Sequence, residues 1–272
     1  MAVANPRRAP APSTLGEYVE GLQGSGRYCF TREEVAEALG GSDIAREAAL
    51  RRLKRKGRIT SPRRGFFVIV PAEYRSAGSP PASWFIDDLM AFQGRPYYVG
   101  LLTAAALHGA AHQQPQVFQV VTDVPMRSVE VARLRIEFHR NRNLAQVPIE
   151  RRNTETGTMR VSTPEATALD LVRYPEASGH LGNVATVLVE LAERIDPAEL
   201  ARVAAKARHP DAQRLGYLLE RLGLERVAAL LAKLVASWRH RPVLLQPNQD
   251  AGGLAPDPRW YVIPNEEVTA DL

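Results

Sequence analysis

The chain has 272 residues, 45% of them hydrophobic, with 35 Lys and Arg against 30 Asp and Glu for a net charge of +5. That hydrophobic fraction excludes a wholly disordered chain, and the lone Cys29 excludes a disulfide framework or a cysteine-based zinc site. No run of about 18 apolar residues offers a membrane span, and Arg7 and Arg8 have no apolar h-region behind them, so the reading is a cytoplasmic protein without a membrane partner.

Positions 1–12, with Pro6, Pro10 and Pro12, read as an extended leader. Ser13 or Thr14 is placed to cap a first helix running to about Leu22, with Leu15, Tyr18, Val19 and Leu22 on one stripe. Tyr28 to Phe30 reads as a short strand or as the apolar lead into the next helix. Thr31 to Glu34 is a capping box, and the helix it opens buries Val35, Ala36 and Leu39. Gly40-Gly41 turns the chain, and Ser42 caps a further helix from Asp43 to about Lys56, for which Ile44, Ala49, Leu50 and Leu53 are the expected core face. Arg58 to Val70 follows as a hairpin with Ser61 to Gly65 at its tip. Helix, turn, helix, strand, basic tip, strand is the order of a winged helix-turn-helix, here spanning residues 13–73.

Pro71 to Ser83 reads as a linker, and residues 84–272 as a second, larger mixed α+β domain, so the fold class is α+β throughout. Trp84 to Phe92 is a short helix, and Tyr97 to Gly109 a strand followed by an alanine-rich helix. Val117 to Thr122, Leu134 to Phe138, Pro148 to Arg152 and Met159 to Ser162 have strand character, giving a small sheet. A helical run follows. Thr163-Pro164-Glu165 opens one helix, Gly179 to Arg194 forms another, Asp196 caps a third, and Asp211 to Leu222 and Glu225 to Trp238 make two more. Pro242 to Gln246 and Trp260 to Ile263 are late strands.

The charge is unevenly placed. Between Arg46 and Gly65 nine basic residues face Glu47 alone, a net +8, so everything outside this window sums to −3. A concentration of this kind is the footprint of a polyanion site. In a winged helix the second helix enters the major groove, which puts Ser42, Asp43, Arg46 and Glu47 at base edges, Arg51, Arg52 and Arg55 at phosphates or a flank, and Arg63 and Arg64 on the wing. A winged helix used for protein contacts, and a merely solvated helix face, are the alternatives. A second basic stretch runs from Arg127 to Arg152, seven arginines against three glutamates. Its Arg133, Arg135, Arg140 and Arg142 could face a protein partner or RNA, could extend a DNA footprint, or could form a solvated strand face.

Three blocks resemble the AbiEi antitoxin family of type IV toxin–antitoxin systems: Tyr97 to Gly109 continuing through Gln113-Gln114-Pro115-Gln116-Val117, then Val161 to Val172, then Trp260 to Asn265. With the winged helix before them the similarity covers roughly residues 13–265. The resemblance implies an autorepressor that binds inverted repeats in double-stranded DNA of its own promoter. It also implies a C-terminal antitoxin domain that counteracts a nucleotidyltransferase-like toxin, directly or functionally, and Arg133, Arg135, Arg140 and Arg142 are then candidates for the surface that faces the toxin.

A search of the chain for chemistry gives little. His108 and His112 stand at i, i+4, the spacing of two imidazoles on one metal, but Gly109 between them interrupts the helix such a pair needs. No P-loop, Asp-x-Asp, Glu-x-Lys or Gly-x-Ser-x-Gly pattern occurs. The expectation is a non-enzyme with no catalytic residue, metal or cofactor. Two other readings stand beside it: a winged-helix regulator whose C-terminal domain senses a ligand or dimerises, and an enzyme with an unrecognised site.

Overall fold

The structure, a computed structural model, describes residues 12–110, 115–239 and 241–268. The chain divides into two compact units, one made of Met1–Gly94 with Ser128–Ile136 and Asn153–Thr158, the other of Arg95–Arg127, Glu137–Arg152 and Met159–Leu272. Both mix helices and strands, and the fold class is α+β. No described helix is long and apolar enough to cross a membrane.

The first unit opens with helix α1, Leu15–Gly24, whose cap is Thr14, accepting from the amide of Glu17. Strand β1, Cys29–Thr31, leads straight into α2, Arg32–Leu39. The predicted capping box is present in full, Thr31 accepting from the Glu34 amide while the Glu34 carboxylate accepts from the Thr31 amide at 2.7 Å. Gly40 and Gly41, both at positive φ, turn the chain into α3, Asp43–Arg55, capped by Ser42. Strands β2, Ile59–Arg63, and β3, Phe66–Ile69, complete a three-stranded antiparallel sheet of order β1-β3-β2. Leu15, Val19, Val35, Leu50, Leu53, Ile59 and Ile69 close a core around Phe30 and Phe67, whose rings stack at 5.3 Å.

Three details depart from the sequence reading. Ile44, expected on the core face of α3, is 84% exposed. It stands in the first turn, ahead of the stretch where Leu50 and Leu53 reach the core. The hairpin tip is tighter than Ser61 to Gly65. Strand β2 continues through a register shift between Thr60 and Arg63 that accommodates Pro62, leaving Arg64-Gly65 as the turn. The stretch from Pro71 to Ser83 is also structured, with 3-10 turns at Ala72–Tyr74 and Ala82–Trp84 and with Ser79 and Ala82 buried. Helix α4, Ile86–Phe92, follows it in the same unit.

The remaining strands are β4 (Tyr97–Val99), β5 (Phe118–Thr122), β6 (Val129–Val131), β7 (Leu134–Arg140), β8 (Ile149–Thr154) and β9 (Gly157–Ser162). They form one sheet of order β6-β7-β5-β4-β9-β8, in which β4 pairs antiparallel with β5 and parallel with β9. The three residues of β6 gave no sequence signal, because a strand this short is defined by its pairing with β7, Val129 opposite Ile136. Helix α5, Leu101–Leu107, and helices α6 (Pro164–Arg173), α7 (His180–Leu191), α8 (Pro197–Ala204), α9 (His209–Arg221) and α10 (Glu225–Ala236) share the second unit's core.

The late strands β10, Val243–Leu244, and β11, Val262–Ile263, pair in parallel beside these helices. Trp260 fixes them. Its ring is wholly buried over Gly216 of α9, its indole N–H donates to Glu220, and its carbonyl accepts from Gln213 Nε2 at 3.0 Å. A Cβ on Gly216 would lie 1.9 Å from the Trp260 ring, so only glycine fits there. Gly216→Ala therefore has to overpack the core, and we expect a loss of about 3 kcal/mol, the upper end of such changes. Gly21→Ala in α1, where an added Cβ meets nothing within 4 Å, should stabilise by about 0.5–1 kcal/mol through helix propensity. Urea unfolding of both variants checks this pair, and equal midpoints would contradict the packing described.

Candidate functional site

The cationic surface of the first unit is built on α3 and the β2–β3 turn. An α-helix anchored by Leu50 and Leu53 must present its other face outward, and Arg51, Arg52, Lys54, Arg55 and Lys56 are all exposed there. Arg64 is exposed on the turn. None of these six has an ion-pair partner among the described residues, so each guanidinium and ammonium is available to an external anion.

The other predicted contacts are placed differently. Arg46 is turned back on its own turn: it donates to the carbonyls of Gly40 and Gly41, the latter at 2.7 Å, and pairs with Asp43, leaving its side chain 17% exposed. Its chain position suits a base edge, but its hydrogen-bonding groups hold the α2–α3 turn. Glu47 is engaged by Arg32. Arg63 is half-buried and donates to the carbonyl of Ser128 at 3.1 Å. Ser42 uses its hydroxyl on the Ala45 amide, which leaves Ile44, Ala45 and Ala48 as the exposed side of the first turns of α3.

The four arginines predicted as a second basic surface do not share a unit. Arg133 and Arg135 lie in the first, where Arg135 approaches Glu130 at 3.8 Å, and Arg140 and Arg142 lie in the second. Around Arg140 and Arg142 the fold gathers Arg173 of α6 and Arg208 at the start of α9, with Lys206 close by. The sequence reading missed these three, because 30 to 70 residues separate them from Arg140 and only the tertiary fold brings them together.

His108, considered above as a metal ligand, is buried and fully engaged. Nε2 lies 2.7 Å from the carbonyl of Ser162 and Nδ1 2.9 Å from Nη2 of Arg152. A carbonyl only accepts, so Nε2–H donates to Ser162, and the bare Nδ1 accepts a hydrogen bond from the Arg152 guanidinium, which requires a neutral ring. Burial holds its pKa below the usual histidine value. His112 lies outside the described residues, and among the described residues no group of three His, Cys, Asp or Glu is placed to hold a metal ion.

The second buried polar centre is Asp170. It sits on α6 beneath β4, accepts from the Tyr98 hydroxyl at 3.2 Å, and is pushed up to about 7 by burial. Its Oδ2 has no hydrogen-bond partner among the described residues. Thr163 caps α6 through the Ala166 amide, and Ser162 meets Thr167 at 2.7 Å. Two of the three blocks on which the family resemblance rests thus interlock through Tyr98–Asp170 and His108–Ser162. The third, around Trp260, closes the same core.

Residues 98–221 match the family described as the AbiEi antitoxin C-terminal domain. No curated protein matches the chain. Among solved structures, the RV2827C protein from Mycobacterium tuberculosis is similar over 96% of this chain and 94% of that one, with a TM-score of 0.65 and 18% identity. At that identity the likeness is one of fold.

The neutral requirement at His108 has a sign. In the unfolded chain the ring takes a proton near pH 6.5, in the folded chain only at lower pH, so stability is held above about pH 6.5 and lost as pH falls below it. His108→Gln keeps a donor and an acceptor but cannot titrate. Between pH 7.5 and 5 we expect its urea midpoint to fall less than that of the parent chain. Equal falls would mean that His108 is not held neutral.

Proposed function

Residues 98–221 being an AbiEi antitoxin C-terminal domain, we propose that the chain is the antitoxin of a type IV toxin–antitoxin system, repressing its own operon through an N-terminal winged helix and opposing a nucleotidyltransferase-like toxin through its C-terminal domain. The family match is the single observation that carries this reading. The cation-rich α3 and turn support its DNA half. Helix α3 takes the place of the groove-entering helix and β2–β3 that of the wing. Arg51, Arg52, Arg55 and Arg64 serve as phosphate contacts, which set affinity and salt dependence without reading sequence. Arg46 and Glu47 act through the local structure they hold, keeping the first turn of α3 in shape for base edges, and Ser42 and Asp43 stand at that turn. Inverted repeats in double-stranded DNA are the expected target, since two bound copies reward a paired site.

The experiment is binding of the full chain to its own promoter DNA across a range of salt. Arg52→Ala with Arg64→Ala should weaken binding to specific and unrelated DNA alike. The slope of log affinity against log salt should flatten by about 0.9 for each phosphate that the variant leaves unneutralised. A double variant with unchanged slope would take α3 and the turn off the DNA.

A further inference from the structure

The second unit holds a basic recess that neither DNA repression nor the antitoxin role assigns. Two adjoining hollows, a narrow one of about 40 Å³ and a larger one of about 370 Å³, share Asn141, Asn143, Arg173 and Arg208 in their walls. Arg140 and Arg142 line one and Lys206 the other, which brings five cations to a single concavity. The larger volume lies in the range of small-molecule sites, and the narrow hollow is a cleft beside it.

Three features of this recess define a ligand. The cations are mostly arginines, whose planar forks match phosphate oxygens in pairs. Two of the forks are partly fixed: Arg173 Nη1 donates to Asn141 Oδ1 at 3.0 Å, and Arg140 Nε to the carbonyl of Asp123 at 3.3 Å. Arg142 is exposed and has no hydrogen-bond or ion-pair partner among the described residues. Five like charges around one hollow repel one another, and a polyvalent anion relieves that repulsion. Beneath them Val147, Leu169 and Val203 supply an apolar wall. The acids in the walls are Asp170 and Asp211, both buried, and Asp211 is approached by Arg214 at 3.6 Å and by Arg208 at 3.9 Å.

We propose that this recess binds a nucleoside phosphate, with its phosphate on Arg140, Arg142, Arg173 and Arg208 and its nucleoside against Val147, Leu169 and Val203. The proposal stands apart from the antitoxin reading, because it uses only the recess.

Isothermal titration of the full chain with ATP, GTP, CTP and UTP, and separately with inorganic phosphate, pyrophosphate and the free nucleosides, tests it. At least one nucleotide should bind saturably at or below about 1 mM, more tightly than phosphate, pyrophosphate or its own nucleoside. Arg142→Glu with Arg208→Glu, both exposed and checked for an unchanged melting temperature, should weaken that binding at least about tenfold. Arg51→Glu with Arg52→Glu on α3 should leave it unchanged. Failure of all four nucleotides to bind overturns the proposal. So does equal binding of pyrophosphate, which removes the nucleoside, or loss of binding only in the α3 variant, which moves the ligand to the first unit. If the recess variant loses protection against the toxin while the parent chain binds no nucleotide, the cations serve an acidic protein surface, and the proposal falls.

Discussion

The hydroxyl of Tyr98 donates to the buried carboxyl of Asp170, and that pairing ties β4 to α6 in the second unit. Burying a carboxyl is costly unless it is hydrogen-bonded or neutralised: burial pushes Asp170 up to about 7, while the Tyr98 hydrogen bond and the charge of Arg173, one turn along α6, oppose that rise. Space around it is equally constrained. A Cβ on Gly100 would stand 2.8 Å from Val121 and 3.1 Å from Asp170 Oδ2, so β4 can cross α6 at this distance only with glycine there. The His108–Ser162 contact ties the far end of α5 to the end of β9 in the same way.

These contacts explain what the family blocks are for. Tyr97 to Gly109 and Val161 to Val172 are matched pieces of one packing seam, and Trp260 to Asn265 is the segment that closes it. Their residues hold the scaffold, while the exposed cations that can meet a partner lie elsewhere, on α3, on the β2–β3 turn and around Arg140, Arg142, Arg173 and Arg208. A resemblance carried by core residues points to the domain at residues 98–221 and says little about the surface with which it acts.

What the amino-acid sequence revealed follows the same division. Helix starts at Thr14, Thr31, Ser42, Thr163 and Asp196 were legible because a cap is a local arrangement of three or four residues. The cationic character of α3 was legible from composition alone. The fate of individual cations was not: whether Arg46 points outward or back to Gly40 and Gly41 depends on a turn set by two positive-φ glycines. Ile44 was misplaced because an apolar residue in a helix's first turn satisfies a periodic pattern even where nothing packs on that turn. The recess in the second unit was invisible for a simpler reason, since its basic residues come from a loop after β7, from α6 and from the α8–α9 connection.

Under the proposed function, a cationic surface contacts DNA and a separately built domain opposes a toxin. Survival of cells expressing the toxin, with Arg51→Ala, Arg52→Ala and Arg64→Ala combined in this chain and both genes on unrelated promoters, tests that division most directly. A variant that accumulates normally and no longer represses its operon is expected to protect the cells still. If those cells die, protection runs through the DNA-binding surface, and the division into two functions is wrong.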